Sequence, residues 1–372
     1  MTATGTAPTP ASNLAPSTDS LATRPHHAIW PKRLPRTLQL PETSLWFNLE
    51  VSARRYPNKP AYLFFGQPLR YAELLAQAEA LAGWLQANGV HKGDRVAVFM
   101  QNCPQFIVAV HAVLRADAVV VPVNPMNKAD ELGHYITDPG TRLFITTADL
   151  AATVAEANAL LPVQQQLCHI LATRFSDAMP ATLDAAELPS PAILQWLQAD
   201  PPLPAATGST GVSRWADAIA AGHRPGPHTA EPDDLALLPY TSGTTGLPKG
   251  CMHTHRTLMH NVMSGGIWGF STPEAVSLGV VPMFHITGFI YGCLASVAGG
   301  TTTVILPRWD RELAGRLIAR HRVSHWTCIP TMIIDLFGSP NYASFDLSSL
   351  KFLSGGGAAM PQAVAQRLLD EF

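Results

Sequence analysis

The sequence predicts an α/β fold of multilayer sheets flanked by helices, and three observations carry that prediction. Short apolar runs alternate with longer segments of helical periodicity along most of the chain. The first clear set reads strand, helix, strand, a βαβ unit that implies a parallel sheet. At 372 residues, 47% hydrophobic and 14% charged, the chain can bury one large multilayer domain or more than one average domain.

In order along the chain, residues 1–40 are rich in Thr, Ala and Pro, with Arg24, Lys32, Arg33 and Arg36 and few acids. They read as a disordered tail, with a transit peptide as the alternative. Over 71–88, Leu74, Leu75, Ala78, Leu81, Ala82 and Leu85 recur at helical spacing, and Gly89 stops the helix. Residues 96–99 are a strand, 104–115 a helix and 118–123 an apolar strand. A second unit follows with strands near 143–145 and 167–171 around a helix near 150–161. Residues 173–232 are rich in Ala, Pro, Ser and Gly and read as a linker or a decorated insertion. Trp196 and Trp215 point to packing within it. Beyond it, strands are expected at 235–238, 276–281, 301–306, 325–329 and 351–353. Helices are expected at 257–266, 288–297, 311–320, 331–337 and 362–369.

The net charge of −2 gives no electrostatic footprint for nucleic acid. The five cysteines, at 103, 168, 251, 293 and 328, form no C-x-x-C pair, which speaks against a zinc ribbon or redox pair and fits a reduced, cytoplasmic setting. No run of 18 apolar residues is present, so no spanning helix is expected, and the N-terminus lacks a signal-peptide core. Peripheral membrane contact and oligomeric state stay open.

The run Tyr240-Thr241-Ser242-Gly243-Thr244-Thr245-Gly246-Leu247-Pro248-Lys249-Gly250 is the clearest chemical feature. Its glycines permit close backbone approach, its hydroxyls add donors, and Lys249 supplies a point charge suited to polyphosphate. It is not a Walker A loop, because Gly250 follows Lys249 where that motif needs Ser or Thr. Gly355-Gly356-Gly357-Ala358-Ala359 follows a short strand and precedes a helix, where ligands of open α/β sheets bind. His285 follows another strand end and faces the same edge in this reading. His253 and His255 would share one face of a strand but lack a third metal ligand at a telling spacing. G-x-S-x-G is absent, which speaks against a nucleophile-elbow hydrolase. No Asp or Glu lies between Glu274 and Asp310, whereas Trp268, Phe270, Phe284, Phe289 and Tyr291 do lie in or beside that stretch. An amino-acid substrate would be helped by a carboxylate there, so an apolar acid is favoured.

At these residues the chain resembles the AMP-forming acyl-CoA synthetases of the adenylate-forming superfamily, from about 45 to 372. Further matching stretches are Val119-Val120-Val121-Pro122-Val123-Asn124-Pro125, Pro282-Met283-Phe284-His285-Ile286-Thr287-Gly288, Pro307-Arg308-Trp309-Asp310, Ile329-Pro330-Thr331-Met332 and Leu353-Ser354-Gly355-Gly356-Gly357-Ala358-Ala359-Met360-Pro361. The details look most like the medium- and long-chain fatty acid branch. The resemblance implies a large N-terminal domain that adenylates a fatty carboxylate with ATP and then forms a thioester with coenzyme A. It implies that Thr241, Ser242, Gly243, Thr244, Thr245, Gly246 and Lys249 hold the β- and γ-phosphates, with Mg²⁺ near Thr241. Gly355, Gly356, Gly357 and Ala358 would border the adenine. Trp268, His285 and Thr331 would lie near the acyl group, with Lys249 and His285 the catalytic pair.

Members of that family continue further, through a Tyr-Gly-x-Thr-Glu motif, an Asp that holds the ribose and a small C-terminal domain with a catalytic lysine. None of these occurs here. The expectation is therefore an incomplete large domain over 41–372 without the C-terminal lid domain, with exposed apolar edges and weak or absent ligase activity of this polypeptide alone. The alternatives are a non-catalytic nucleotide-binding fragment, and adenylation of another carboxylic or amino acid.

Overall fold

The computed structural model describes residues 24–241 and 246–372, and its contacts divide the chain into two units, 1–38 and 39–372. In the first, Pro25–Ala28 forms a 3₁₀ turn and Trp30 Nε1 donates to the Leu34 carbonyl at 3.2 Å.

The second unit contains two large sheets. In the seven-stranded sheet, β3 (Arg95–Phe99) lies between β4 (Val119–Pro122) and β5 (Thr141–Thr147). Beyond β5 come β6 (His169–Thr173) and β7 (Gly211–Arg214), and beyond β4 come β8 (Leu235–Leu237) and β11 (His253–Thr254). All neighbours are parallel except β11 with β8. The six-stranded sheet runs β15 (Phe352–Gly355), β14 (His325–Cys328), β12 (Val276–Gly279), β13 (Thr302–Ile305), β1 (Pro60–Phe64), β2 (Gln67–Arg70). Only β2 is antiparallel to its neighbour.

Central strands such as β4 are apolar throughout because both faces of a parallel sheet are covered. Helix α3 (Pro104–Arg115) starts with Pro at its first position, and every residue from Pro104 to Leu114 is buried. A helix buried all round belongs between layers. Phe106 on α3 meets Phe289 edge-on, with ring centroids 6.4 Å apart, which joins α3 to the helix flanking the six-stranded sheet.

The segment 173–232 is integrated into the domain. It holds α6 (Pro191–Leu197), β7 and α7 (Trp215–Ala220), and β7 extends the seven-stranded sheet beside β6. Trp215 is buried and the Trp196 ring tilts against Phe175 at 4.6 Å.

Elements not expected from sequence are α1 (Trp46–Arg55), the β1–β2 pair and α4 (Ala129–Thr137). The predicted helix at 288–297 is longer and irregular. It begins as α9 (Ile286–Gly288), passes through a π-helical stretch, Phe289–Ala295, and ends as α10 (Ser296–Gly299). Such stretches recur at functional sites. Helix α13 (Gln362–Glu371) contains no fully buried residue, and Leu369 and Phe372 are exposed. Among the described residues no helix is long and apolar enough to cross a membrane.

Candidate functional site

The Gly/Thr-rich run leaves the seven-stranded sheet just after β8. Its ends pair as two short antiparallel strands, β9 (Tyr240–Thr241) and β10 (Lys249–Gly250). Lys249 is directly opposite Thr241, so the ammonium and the hydroxyl occupy one face of the stem, and both residues are exposed. Ser242, Gly243, Thr244 and Thr245 lie outside the described residues.

Helix α4 holds this stem. His134 Nε2 is 2.7 Å from the Pro248 carbonyl oxygen, and the Tyr240 hydroxyl donates to Asp138 Oδ2 at 2.5 Å. The Tyr135 ring packs on Tyr240 at 4.8 Å. Burial, with the Asp138 carboxylate, pushes the Tyr240 phenol well above its ordinary range, so it stays a donor. A Cβ at position 250 would come within 3.1 Å of the Tyr240 ring, which accounts for Gly250 after the lysine. The sequence offered no hint of these three partners on α4 and at its C-terminal end.

His285 lies after a strand of the other sheet, so the two motifs do not share one sheet edge as expected from sequence. Asn102, just after β3, joins the two edges. Its Nδ2 donates to the carbonyls of Val281 at 3.1 Å and Leu306 at 3.3 Å, and its Oδ1 accepts from Met283 N–H at 2.8 Å. Asn102 is 1% exposed, so its loss strands three backbone groups. Asn102→Ala is expected to cost about 2 kcal/mol in urea unfolding; a loss below about 0.5 kcal/mol would contradict the pinning role.

His285 is exposed, and its backbone N–H donates to the Pro282 carbonyl at 3.1 Å. Its ring tilts on Phe284 at 4.8 Å. Partial burial lowers its pKa, so it is neutral at pH 7.

A cavity of about 300 Å³ opens between α8 (His255–Trp268), the 286–299 helix and strands β12, β13, β14 and β15. Trp268 lines it. His285 and Thr331 do not; the cavity instead reaches Thr287 and Gly288, next to His285, and Ser354, next to Gly355. Thr331 is exposed in the first turn of α12 (Pro330–Phe337). Gly355 at the end of β15 and Gly356, Gly357 and Ala358 beyond it are exposed, and Gly357 takes a φ of +81° that glycine accepts without strain. Of the aromatic residues in or beside the acid-free stretch, Trp268 and Tyr291 line the cavity. Phe289 is spent on the α3 contact and Phe284 on His285. Tyr291 lies so close to α8 that a Cβ at Gly265 would come within 2.6 Å of its ring.

The H-x-H pair divides between elements. His253 belongs to β11, whereas His255 opens α8, is 1% exposed and accepts from Leu45 N–H through Nδ1 at 3.1 Å. Among the described residues no group of three or more His, Cys, Asp or Glu could hold a metal ion. Near His255, Ser44 Oγ lies 2.6 Å from His228 Nε2, and His228 Nδ1 lies 2.5 Å from Asp117 Oδ1. These are triad distances. Ser44 is only 5% exposed, and the adjacent Leu45 N–H is taken by His255, so that donor is not available to an oxyanion. Asp117 also accepts from Thr229 N–H and Oγ1–H, and the cluster reads as a buried strut.

Two sheets joined at their carboxyl ends by Asn102, one followed by a cation-bearing hairpin and the other carrying a cavity, define an α/β domain of the doubly flanked kind. Residues 49–372 match the family of AMP-binding enzymes, and the chain belongs to that family. It is 32% identical over 346 residues to a long-chain-fatty-acid–CoA ligase of Bacillus subtilis (strain 168), covering 92% of this chain and 60% of that protein. It is 31% identical over 318 residues to a feruloyl-CoA synthase of Amycolatopsis sp, covering 86% and 55%. The inhibitor-bound N-terminal domain of FACL13 from Mycobacterium tuberculosis superposes with a TM-score of 0.69 at 25% identity, over 88% of this chain and 73% of that one. The anthranilate CoA ligase AuaEII in complex with anthranoyl-AMP shares the fold, with a TM-score of 0.73 at 18% identity over 90% and 58%. The chain thus spans 55–60% of the length of the two sequence relatives named here.

Proposed function

We propose that this chain carries the nucleotide- and acid-binding part of a cytoplasmic, AMP-forming acyl-CoA ligase whose substrates are a fatty carboxylic acid, ATP and coenzyme A. The observation that carries the reading is the stem of the Gly/Thr-rich loop, where Lys249 faces Thr241. In the reaction a carboxylate oxygen attacks the α-phosphorus, the bond to pyrophosphate breaks, and the acyl-adenylate forms. The coenzyme A thiolate then attacks the acyl carbon and AMP leaves.

Such chemistry rests on positioning and charge neutralisation. Lys249, fixed in β10, would place its ammonium on the β- and γ-phosphates, with Ser242, Gly243, Thr244, Thr245 and Gly246 supplying N–H and O–H donors. A neutral His285 would donate an N–H to an oxygen of the acid or the α-phosphate and so align them. Gly355, Gly356, Gly357 and Ala358 would let the flat base approach the backbone. Thr331 stands at the same strand-end face, after β14.

Mg²⁺ takes oxygen ligands and keeps several waters, commonly using one or two protein groups plus substrate phosphates. The exposed Thr241 hydroxyl beside Lys249 fits that donor set. Bound there with ATP, the ion would neutralise phosphate charge.

No Asp, Glu, Lys or Arg is among the described residues that line the cavity, which supports an acid without a charged amino group over an amino acid. Exchange of labelled pyrophosphate into ATP is the test. A fatty acid of about eight carbons is expected to drive more exchange than any amino acid. The reverse order would reject the fatty acid reading, and ATP binding without exchange by any acid would leave a nucleotide-binding fragment.

A further inference from the structure

The cavity rests on the six-stranded sheet, with Thr303, Ser277 and His325 in its floor. Another wall is the last turn of α8, which carries Gly265 and Gly266 inside the helix. Glycine inside a helix is destabilising relative to alanine, so each of the two calls for a reason.

Gly265 has a packing reason. The Tyr291 ring occupies the place of its Cβ, at 2.6 Å. Gly266 has none. Val262 and Met259, four and seven residues before it, are buried, so position 266 continues the face that α8 turns inward. A side chain there would ordinarily meet the core. Instead, a Cβ at 266 would have no atom within 4 Å, and the residue lines the cavity. The helix gives up stability at a position where a side chain would fit, and what it gains is space.

That space lies at the end of the cavity remote from the reacting carboxylate. The Gly266 carbonyl accepts from Ser271 N–H at 3.0 Å, and the Gly269 carbonyl, less than a turn on, lies 2.9 Å from His325 Nε2. His325 is first in β14, three residues and roughly 10 Å before the carboxyl end of that strand.

We propose that Gly266 is a specificity-determining residue, and that the space left by its missing side chain takes the distal methylenes of the acyl chain. The preferred acid is then one of medium length, octanoate rather than butanoate. This rests on the cavity being the acid site, as proposed above.

The test is titration calorimetry of the full chain with AMP present, so that no adenylate forms, using butanoate and octanoate. Octanoate is expected to bind wild type at least tenfold more tightly, since each buried methylene adds about fourfold. Gly266→Leu and Gly266→Met should weaken octanoate about tenfold and leave butanoate within about twofold. Both should also raise the urea midpoint, because a good helix former replaces glycine where no atom stands in the way. A purely structural glycine would do the opposite: the midpoint would fall, or neither variant would fold, and both acids would weaken alike. That result would overturn the inference. So would an octanoate preference kept in both variants, or equal binding of the two acids by wild type, and each would leave the acid site standing. Binding of neither acid by wild type would remove the acid site itself, and this inference with it.

Discussion

Gly288→Ala is expected to destabilise this chain by upward of about 3 kcal/mol, well above the ordinary cost of an alanine. A Cβ at position 288 would lie 2.1 Å from the Pro282 carbonyl oxygen and 2.6 Å from the Val281 oxygen. Both obstacles are backbone, so no rotamer change relieves them. They belong to the loop pinned by Asn102, which cannot move without breaking those hydrogen bonds. The first turn of the 286–299 helix would have to shift instead, and that turn lines the cavity. Urea unfolding should show the loss, and acid affinity should fall with it. A variant as stable as wild type would mean that the turn and the 281–283 loop are not packed as described.

Acidification should cost more than any single substitution. Burial lowers the pKa of His111 to about 4. Burial, with His228 as a like-charged neighbour, lowers that of His255 to about 4. Both titrate near 6.5 when unfolded. Between those values the unfolded chain binds more protons than the folded one, so stability present above pH 6.5 is lost as pH falls toward 4. Each histidine contributes on the order of 3 kcal/mol to that loss. His228, also lowered by burial, acts in the same direction. Unfolding free energies measured from pH 7 to 4.5 should fall steeply, and His111→Leu should flatten its share. A pH-independent stability across that window would refute the assignment of neutral buried imidazoles.

What could be read in advance had a local cause. The β3–α3–β4 unit was legible because α3 opens with Pro104 and the flanking strands are continuous apolar runs. The β1–β2 pair was not, because its two-residue turn is Phe65-Gly66, with φ of +50° and +79°, and phenylalanine gives no turn indication. Segment 173–232 read by composition as a linker or a decorated insertion, and what decides between them, the pairing of β7 with β6, is a contact invisible to any local window. The same split holds at the site. The hairpin and Gly-rich turn are contiguous motifs and announce themselves. Asn102 acts on groups 179 and 181 residues away, and Asp117 on Thr229 112 residues away. The polar cavity floor was hidden for a related reason, since Thr303, Ser277 and His325 meet only through strand register.

The central claim is that the Thr241–Lys249 stem holds the polyphosphate of ATP, and calorimetric titration of Mg-ATP onto the full chain tests it most directly. Wild type should bind, Lys249→Ala should lose about tenfold or more in affinity, and AMP, which lacks the β- and γ-phosphates, should bind both proteins alike. Equal ATP affinity of wild type and Lys249→Ala, or a loss of AMP binding equal to that of ATP, would contradict the account.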